Sequence, residues 1–325
     1  MDAMKRVLVT GATGSFGRAF VRSLLDRNPR IEILCFSRDE LKQFEMQSEF
    51  NSQCLTFVLG DVRDYKRVLQ VSEGVDTIIH AAAMKQIPAA ELNPMEAIKT
   101  NVLGAENIIN AAIENSVSKV VALSTDKAAN PANLYGATKL CSDKLMVAGN
   151  LLVKNSEVKF SVVRYGNVLG SRGSVVPFFI EMKKSGLIPI TDERMTRFWL
   201  TLSQAVDLVF IALSQMKGGE IFVPKIPSFK VTDVARLVAP GVPIKNIGIR
   251  PGEKLHEIMI TEDDSLYTLE HLNHYTILSP LLHIHEKELQ LGSKVPNGFS
   301  YRSDNNSWWH TDESFLSTLK EIGLA

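Results

Sequence analysis

A glycine-rich turn near the N-terminus is the feature that most limits how this chain can fold. The apolar stretch Arg6–Thr10 predicts a short buried strand, and Gly11, Gly14 and Gly17 follow it at the start of a predicted helix that ends near Arg27. This spacing allows a tight turn, close approach of a pyrophosphate to backbone N–H groups and close packing of helix on strand. The turn therefore predicts a dinucleotide-binding β-α unit, although isolated glycines also mark ordinary turns.

The alternation of strands and helices continues through the first half of the chain. Apolar runs at 31–36, 55–60, 76–83, 119–124 and 159–165 predict further strands with helical segments between them. Strands that alternate with helices form parallel sheets with right-handed crossovers. We therefore expect an α/β fold: a Rossmann-type, doubly wound parallel sheet with a smaller C-terminal substrate-binding region.

The composition changes near residue 168, where strands become irregular and basic residues are scattered through loops. We expect residues 1–168 to form the cofactor-binding domain that carries the catalytic residues. Residues 169–325 are expected to bind mainly substrate and to return elements to the first domain.

Charge and composition exclude several classes of partner. Among 325 residues, 36 Lys and Arg balance 36 Asp and Glu, so no net field attracts nucleic acid or an anionic membrane. The chain begins without a cationic-then-apolar signal segment and contains no run of about eighteen apolar residues. Three cysteines without a C-x-x-C spacing indicate buried free thiols rather than disulfides. We expect a cytoplasmic protein without a membrane segment.

Four histidines in the tail raise the question of a metal site. His271, His274, His283 and His285 are not accompanied by cysteines or by an organised set of carboxylates. Solvated histidines are the better interpretation, and no metal is expected.

The residues after the second predicted strand bear on the cofactor's ribose. An acidic residue at this distance from the glycines holds the 2′-hydroxyl of NAD, whereas a hydroxyl and an arginine suit the 2′-phosphate of NADP. Ser37 and Arg38 favour NADP, with Lys42 as a further contact. Asp39 leaves NAD open as the alternative.

The segment STDKAANPANLYGATK carries the strongest chemical signal. Thr125, Asp126 and Lys127 follow an apolar strand, at the end where open α/β sheets bind ligands. Tyr135 and Lys139 are four residues apart, so on a helix their side chains share one face. A hydroxyl, a phenol of lowered pKa and a lysine can deprotonate an alcohol while its hydride leaves for a nicotinamide ring. Redox chemistry alone does not require Asp126 and Lys127, so this pair indicates a second acid-base step.

Residues at other strand ends are expected to border the cofactor. Asp61 and Val62 follow the third strand and are placed near the adenine. The small Ala81 and Ala82 let the backbone lie against the cofactor, and Lys85 follows them.

Loops of the second half are expected to hold the phosphates of the substrate. Asn167 lies in a glycine-rich loop just after the sixth strand, where its amide and the backbone N–H groups can hold a phosphate. Arg194, Arg197 and Arg250 are candidates for clamping a diphosphate, although each taken singly is also an ordinary surface charge.

Together these motifs resemble the extended short-chain dehydrogenase/reductase superfamily from Thr10 to roughly Glu257. Within it the chain is similar to the inverting UDP-N-acetylglucosamine 4,6-dehydratases. The motifs are TGATGSFG (10–17), SRDE (37–40), HAAAMK (80–85), STDKAANPANLYGATK (124–139), RYGNVLGSRGS (164–174), MTRFW (195–199) and RPGEKLHE (250–257). The closer similarity rests on Thr125, Asp126 and Lys127, because retaining sugar-nucleotide 4,6-dehydratases have an Asp-Glu pair there.

This resemblance implies an NADP-dependent hydro-lyase that converts UDP-N-acetylglucosamine to UDP-2-acetamido-2,6-dideoxy-L-arabino-hex-4-ulose. Tyr135, its pKa lowered by Lys139 and the cofactor, takes the C4 hydroxyl proton while the C4 hydride leaves, and Thr125 holds the sugar oxygen. Lys127 removes the C5 proton, Asp126 protonates the departing C6 hydroxyl, the hydride returns to C6, and reprotonation of C5 from the opposite face inverts that centre. Lys127 must be neutral for part of the cycle, which burial and the neighbouring Lys139 are expected to achieve.

The residues and the resemblance together define the predicted site. Cofactor binding is assigned to Gly11, Thr13, Gly14, Ser15, Phe16, Gly17, Ser37, Arg38, Lys42, Asp61, Val62, Ala81, Ala82, Lys85, Tyr135 and Lys139. Substrate binding is assigned to Lys85, Thr125, Asn167, Arg172, Thr191, Arg197, Arg250 and Glu253, the last for the uridine ribose hydroxyls.

The resemblance also implies a homo-oligomer, a dimer or higher, that catalyses the first step of pseudaminic acid synthesis for flagellin or surface-glycan modification. A sugar-nucleotide 4-epimerase, a capsule-pathway 5-inverting 4,6-dehydratase and a non-catalytic NADP-binding regulator remain alternatives. The epimerase has no need of Asp126 and Lys127, and the intact Thr125, Tyr135 and Lys139 argue against the regulator.

Overall fold

Parallel strands and the helices between them make up the first half of the chain. The structure is a computed structural model that describes residues 4–153, 158–171, 173–282 and 292–324. In chain order the elements are β1 (Arg6–Thr10), α1 (Ser15–Arg27), β2 (Glu32–Ser37), α2 (Glu40–Phe50), β3 (Leu55–Leu59), α3 (Tyr65–Val71), β4 (Thr77–His80), α4 (Ile87–Leu92), α5 (Pro94–Ile98), α6 (Gly104–Glu114), β5 (Lys119–Thr125), α7 (Leu134–Leu152) and β6 (Lys159–Tyr165). A π-helical turn, Lys99–Leu103, joins α5 to α6, and a 3-10 turn, Asp126–Ala128, follows β5.

Shorter strands dominate the second half. They are β7 (Asn167–Val168), β8 (Ile188–Ile190), β9 (Thr196–Leu200), β10 (Ile221–Pro224), β11 (Ser228–Lys230), β12 (Ile244–Asn246), β13 (Ile258–Ile260), β14 (Thr268–Glu270), β15 (His274–Ile277), β16 (Ser293–Lys294) and β17 (Tyr301–Arg302). The helices among them are α8 (Val175–Met182), α9 (Leu202–Gln215), α10 (Val231–Val238) and α11 (Asp312–Glu321).

One large sheet organises both halves. Its strand order is β16-β14-β15-β10-β6-β5-β4-β1-β2-β3. All neighbours from β10 to β3 pair in parallel, whereas β15, β14 and β16 pair antiparallel at one edge. The predicted α/β fold with a doubly wound parallel sheet is therefore confirmed. The chain moves outward in opposite directions from β1, so a crevice opens between the carboxyl ends of β1 and β4.

Helices cover both faces of this sheet because its strands are apolar on both faces. On one face Val68, Ile108 and Met146 bring α3, α6 and α7 against the sheet. On the other face Phe20 and Val209 do the same for α1 and α9. A third cluster, centred on the buried Trp199, packs in the C-terminal part with Phe179, Phe229 and Phe315.

Residues beyond 168 contribute to the main sheet as well as to the C-terminal part. β10 extends the parallel sheet, and β14, β15 and β16 form its antiparallel edge. This edge did not emerge from the irregular strand pattern of the tail, because each of its strands is only two to four residues long. The proposed boundary at residue 168 stays a prediction.

Two strands end earlier than the sequence predicts. β4 stops at His80, which pairs with Thr10 and Ala122, so the alanines after it form a loop rather than a strand. β3 stops at Leu59 for the same reason, since its last pairing is with Ser37.

The described ranges also bear on membranes, metals and thiols. No helix within residues 4–153, 158–171, 173–282 and 292–324 is both long and apolar enough to cross a bilayer. The same ranges contain no group of three His, Cys, Asp or Glu side chains suited to a metal, and His283 and His285 lie outside them. The cysteines are free, but only Cys35 is buried; Cys141 lies on the outer face of α7 and is exposed.

Candidate active site

The carboxyl ends of the parallel strands border a cleft of about 890 Å³. Apart from Asp61, all the residues predicted to bind the cofactor line this cleft. The predicted catalytic residues line it too: Thr125, Asp126, Lys127, Tyr135 and Lys139. Residues that border it without having been predicted include Gln86, Thr100, Ser124, Tyr165 and Leu202.

The turn between β1 and α1 forms one end of the cleft. Gly11 has a φ of +67°, and a Cβ there would lie 2.9 Å from the backbone of Ala81 and Ala82. A Cβ on Gly17 would lie 2.5 Å from the Ala12 carbonyl oxygen, so only glycine allows this packing of α1 against the turn. The first turn of α1 contains no acidic residue and its N-cap, Gly14, has no side chain. The positive end of the helix dipole therefore meets the cleft, as a pyrophosphate requires.

A buried histidine supports this turn from β4. His80 Nδ1 lies 2.9 Å from Thr10 Oγ1, which also accepts a hydrogen bond of 3.2 Å from the Ala82 N–H. Burial, with a smaller contribution from Lys139, lowers the pKa of His80 to about 3, so the ring is neutral at physiological pH. His80 thus fixes the loop that follows β4 against the end of β1.

The adenosine end of the cleft has a defined arrangement of charges. The Asp39 side chain caps α2, accepting hydrogen bonds from the Lys42 backbone N–H at 3.0 Å and from Lys42 Nζ at 2.5 Å. Arg38 lies at the rim, with 59% of its side chain exposed and NH1 3.6 Å from Asp61 Oδ2. Ser37 Oγ accepts a hydrogen bond from Gln43 Nε2 at 3.0 Å, which leaves its own proton available for donation. All four residues line the cleft; Asp39 and Lys42 are paired with each other, and Arg38 lies close to Asp61.

The predicted catalytic residues are brought together by β5 and α7. Asn133 caps α7 by accepting a hydrogen bond of 2.8 Å from the Gly136 N–H, which places Tyr135 in the first turn. The Tyr135 phenol lies beside the Thr125 hydroxyl at the end of β5. Lys139 lies one turn further along α7 and is buried. The expected spatial grouping of Thr125, Tyr135 and Lys139 is therefore present.

The charge state of Tyr135 differs from the expectation. Burial raises the pKa of Tyr135 to about 12, and the Lys127 charge and the neighbouring Thr125 hydroxyl oppose this rise. The pKa of Lys139 is lowered by burial, which the Asp143 carboxylate opposes. The Tyr135 pKa is therefore raised rather than lowered in the protein alone, because desolvation of the phenolate outweighs the Lys127 charge. The further lowering expected from the cofactor charge stays a prediction.

Asp126 and Lys127 form an ion pair beside this group. Lys127 Nζ donates to Asp126 Oδ1 at 3.0 Å and lies 3.3 Å from Glu257 Oε1. Burial alone would lower the pKa of Lys127, but the carboxylates of Asp126 and Glu257 outweigh it and raise that pKa above its ordinary value. Burial raises the pKa of Asp126, and Glu257 adds to the rise while Lys127 opposes it. The expectation that burial and Lys139 make Lys127 neutral was therefore wrong, because two carboxylates contact the ammonium.

A buried ion pair lies beneath Lys139. Asp143, four residues after Lys139 on α7, accepts a hydrogen bond of 2.7 Å from Ser124 Oγ and lies 3.4 Å from Arg164 NH2. Burial raises the pKa of Asp143, while Arg164 and Lys139 oppose the rise. The spacing of four residues on one helix face was the sequence signal that could have identified Asp143 as the counter-charge of Lys139.

The π-helical turn fixes the loop that carries Lys85. Asn101, within that turn, donates from Nδ2 to the Met84 carbonyl and to Thr138 Oγ1, each at 3.0 Å, and accepts from the Met84 N–H at 2.8 Å. Lys85 follows at the wall of the cleft, and burial lowers its pKa. This network ties the Lys85 loop to α7, which also carries Tyr135.

The predicted substrate residues separate into two groups. Asn167 lines the cleft, and its buried Oδ1 has no hydrogen-bond partner among the described residues. Four other predicted substrate residues are described by the structure but do not line the cleft: Thr191, Arg197, Arg250 and Glu253. Arg172 lies outside the described residues.

Arg197 has a setting unlike the expected diphosphate clamp. It is buried, and its guanidinium donates to the carbonyl oxygens of Thr196, Leu255 and Lys254 at 2.7 to 2.9 Å. Its Nε also lies 3.6 Å from Glu257 Oε1. Arg197 therefore holds the segment around Glu257 rather than facing an open surface. Arg250 is exposed, and its backbone N–H donates to Glu253 Oε2 at 3.3 Å.

Known proteins are similar to this chain in sequence and in fold. Residues 7–279 match the family described as "Polysaccharide biosynthesis protein". The UDP-N-acetylglucosamine 4,6-dehydratase (inverting) of Campylobacter jejuni subsp. jejuni serotype O:23/36 (strain 81-176) is 53% identical over 325 residues, which cover 97% of each chain. The UDP-glucose 4-epimerase of Rickettsia canadensis (strain McKiel) is 44% identical over 268 residues, 80% of this chain and 79% of that one.

A solved structure matches the fold over almost the whole chain. The X-ray structure of Pen from Bacillus thuringiensis superposes with a TM-score of 0.91 at 36% identity, covering 99% of this chain and 98% of that one. These matches confirm the resemblance drawn from the motifs, and they span the C-terminal region as well as the Rossmann part. The chain belongs to the polysaccharide biosynthesis protein family, on a short-chain dehydrogenase/reductase type of fold.

Proposed function

We propose that this protein is an inverting UDP-N-acetylglucosamine 4,6-dehydratase. The observation that carries the proposal is the Asp126–Lys127 pair, 3.0 Å apart, beside the Thr125 and Tyr135 hydroxyls in one cleft. One set of groups serves an alcohol at C4, and the other serves elimination across C5 and C6. The 53% identity with a curated enzyme of this activity supports the same assignment.

A nicotinamide dinucleotide fits the residues at the glycine-rich end of the cleft. The Gly11 turn leaves no room for a Cβ, and the α1 N-terminus provides the positive end of a helix dipole for a pyrophosphate. When bound, the nicotinamide supplies a hydride acceptor for C4 and a hydride donor for C6. Residues of the turn, with Ala81, Ala82 and Lys85, would hold it against the sheet.

We propose NADP rather than NAD as this cofactor. Asp39, the carboxylate that would accept the ribose 2′-hydroxyl of NAD, is occupied as the cap of α2 and paired with Lys42. Arg38 and Ser37 can donate hydrogen bonds into the cleft, as a 2′-phosphate requires. Lys42 contributes mainly by neutralising Asp39.

Tyr135 and Thr125 serve the sugar C4 hydroxyl in this account. Thr125 donates to the oxygen or holds it in place, and Tyr135 takes its proton. Since burial raises the pKa of Tyr135 to about 12, the phenolate forms only with help from positive charge brought in by the ligands. Lys139, with Asp143 as its buried counter-charge, lies behind Tyr135.

Asp126 and Lys127 serve the elimination of water, the second half of the proposed reaction. Lys127 first passes a proton to Asp126 along their 3.0 Å hydrogen bond. The resulting amine then takes the C5 proton, which becomes acidic once C4 is a ketone, and Asp126 gives its proton to the leaving C6 hydroxyl. The raised pKa of Asp126 suits a general acid. Reprotonation of C5 from the opposite face then inverts that centre.

For the substrate's nucleotide we propose Asn167, Thr191, Arg250 and Glu253, with Lys85 and Thr125 nearer the sugar. Asn167 faces the cleft with an unsatisfied amide oxygen, and Arg250 is exposed beside Glu253. Arg197 contributes by fixing the loop that carries Glu253, whose Oε1 lies 4.0 Å from Arg197 NH2.

A sugar-nucleotide 4-epimerase is the second candidate, favoured by the 44% identity with the Rickettsia canadensis enzyme. An epimerase returns the hydride to C4 and has no use for an acid and a base at C5 and C6. The Asp126–Lys127 pair lining the cleft therefore favours the dehydratase.

We also propose the setting that the resemblance implies: a cytoplasmic homo-oligomer that starts pseudaminic acid synthesis for flagellin or surface-glycan modification. The support for it is similarity to the Campylobacter jejuni enzyme over 97% of both chains. Sedimentation of the purified protein tests the assembly, and glycan analysis of a deletion strain tests the pathway.

The product formed in deuterated water tests the reaction. Purified protein with UDP-N-acetylglucosamine should give a 6-deoxy-4-keto sugar nucleotide of L-arabino configuration with deuterium at C5, seen by NMR. Formation of UDP-N-acetylgalactosamine that carries no deuterium would instead show that the protein is a 4-epimerase. A D-xylo product would show a retaining dehydratase and contradict the inversion.

A further inference from the structure

Glu257 contacts Lys127 from outside the cleft. Its Oε1 lies 3.3 Å from Lys127 Nζ and 3.6 Å from Arg197 Nε. Lys127 lines the cleft, whereas neither Glu257 nor Arg197 is among the described residues that do. Only 2% of Glu257 is exposed. Glu257 can therefore act on a bound sugar only through Lys127.

The backbone holds Glu257 rigidly at this place. Its N–H donates to Ser303 Oγ at 2.9 Å, and its carbonyl oxygen accepts from the Ser303 N–H at 2.9 Å. Ser303 Oγ also lies 2.7 Å from Thr196 Oγ1, next to Arg197 in β9. Strands β13 and β17 begin their antiparallel pairing just beyond this point. The Glu257 backbone is thus tied to the residue that follows β17, and through that residue to β9.

Lys127 has more than one negatively charged neighbour. Two carboxylates, Asp126 and Glu257, contact its ammonium at 3.0 and 3.3 Å. Arg197 faces Glu257 from β9, and Lys254, which donates to the Ala129 carbonyl at 2.8 Å, adds a further positive charge. Because Glu257 remains as a counter-ion, Lys127 stays paired even when Asp126 carries a proton.

We propose that Glu257 is a positioning residue for the elimination step: its carboxylate orients Lys127 and stabilises the ammonium that forms when Lys127 takes the C5 proton. This inference rests on the proposed dehydratase function and adds a residue to it. The carboxylate that orients the base histidine of serine proteases has the equivalent role.

The protons balance within this group. One proton passes from Lys127 to Asp126 along their hydrogen bond, giving an amine and a carboxylic acid. The amine takes the C5 proton, the C5–H electron pair forms the C5–C6 double bond, and the C6–O bond breaks as Asp126 gives its proton to the departing hydroxyl. Water leaves, Lys127 is again an ammonium, and Asp126 is again a carboxylate. Glu257 stays ionised throughout.

The carboxylate charge of Glu257 should set the pH dependence of elimination. Burial acts to raise the pKa of Glu257, but Lys127, Arg197 and Lys254 outweigh it and keep the group ionised. Its charge raises the pKa of both Asp126 and Lys127. Elimination requires one shared proton on that pair, so its rate should rise with pH as the second proton is lost. Removing the Glu257 charge should move this acidic limb to lower pH.

Single-turnover kinetics of E257Q test the proposal on the cofactor-loaded enzyme. Absorbance of the reduced nicotinamide rises with C4 oxidation and falls only after elimination, so the two phases separate. In E257Q the rise should stay within about twofold of the unmutated rate, the fall should slow about 10²- to 10⁴-fold, and its acidic limb should move down by about one to three pH units. E220Q is the matched control: Glu220 is also buried, but it binds Ser161 Oγ at 2.7 Å away from the cleft, so neither phase should change.

Two results would overturn the inference. Either an acidic limb at the unmutated pH or equal slowing of both phases in E257Q would give Glu257 a purely structural role. If E257Q does not fold, E257D keeps the charge but withdraws the carboxylate, and it should slow the fall selectively; a fall at the unmutated rate would overturn the inference. Absence of a dehydrated product from the unmutated enzyme would instead refute the proposed function itself.

Discussion

Thr125 Oγ1 donates a hydrogen bond of 2.9 Å to Asp126 Oδ1. The relationship joins two chemically distinct groups, because Thr125 also lies beside the Tyr135 phenol, and Asp126 accepts a hydrogen bond from the Lys127 ammonium. A sugar bound above the end of β5 can therefore meet the oxidation groups at C4 and the elimination groups at C5 and C6 without leaving the site. We therefore expect mutation to separate the two steps.

Arg38 should determine the preference for NADP. Its exposed guanidinium lies at the rim of the cleft, whereas Asp39 is held by Lys42. In R38A, NADP affinity should fall about 10- to 100-fold while NAD affinity changes little, because a charge-assisted hydrogen bond contributes about 1.5–3 kcal/mol. Fluorescence titration of both cofactors measures this, with the exposed surface Arg22 replaced by Ala as control. An unchanged affinity ratio would remove Arg38 from the 2′-phosphate site.

Arg250 should contribute to substrate binding without contributing to the chemistry. The residue is exposed and lies outside the catalytic cleft. R250A should therefore raise KM for the sugar nucleotide about 10- to 100-fold and leave kcat within about threefold, since the contact is the same in ground and transition states. Steady-state kinetics of R250A and of the surface variant R236A make the comparison. A loss confined to kcat would contradict the assignment.

His80 should make the fold less stable in acid. Burial lowers its pKa from 6.5 to about 3, so between these values the unfolded chain binds a proton that the folded protein does not. This contribution to stability is complete above about pH 6.5 and is lost as the pH falls. From this group alone, the free energy of unfolding should be about 2 kcal/mol smaller at pH 5 than at pH 7. In urea titrations, H80Q should lose that part of the pH dependence, and an unchanged difference would refute it.

Local spacing explains why much of the site could be predicted from the sequence. The G-x-x-G-x-x-G turn and the Tyr135–Lys139 pair each lie within one β-α unit, so strand direction and helix periodicity place their side chains. The parallel sheet could be predicted from the alternation of strands and helices along the first half of the chain.

The parts that escaped prediction depend on contacts between distant segments. Glu257 precedes β13 and lies far along the chain from Lys127, and only the tertiary fold brings its carboxylate to the Lys127 ammonium and to Arg197 of β9. The charge of Lys127 could not be predicted for the same reason, because the second carboxylate that raises its pKa has no fixed spacing from it. The antiparallel edge strands were too short to show an alternating pattern.

Single turnover of K127A and Y135F with C4-deuterated UDP-N-acetylglucosamine distinguishes the oxidation step from the elimination step. The Lys127 ammonium contacts the carboxylates of Asp126 and Glu257, whereas the Tyr135 phenol lies beside Thr125 at the oxidation site. In K127A, reduced cofactor carrying the deuterium should appear and persist, with product formation slowed about 10²- to 10⁴-fold. In Y135F, reduced cofactor should hardly appear. Release of the 6-deoxy-4-keto sugar by K127A at the unmutated rate, with deuterium at C6, would contradict the claim that Lys127 carries out the elimination.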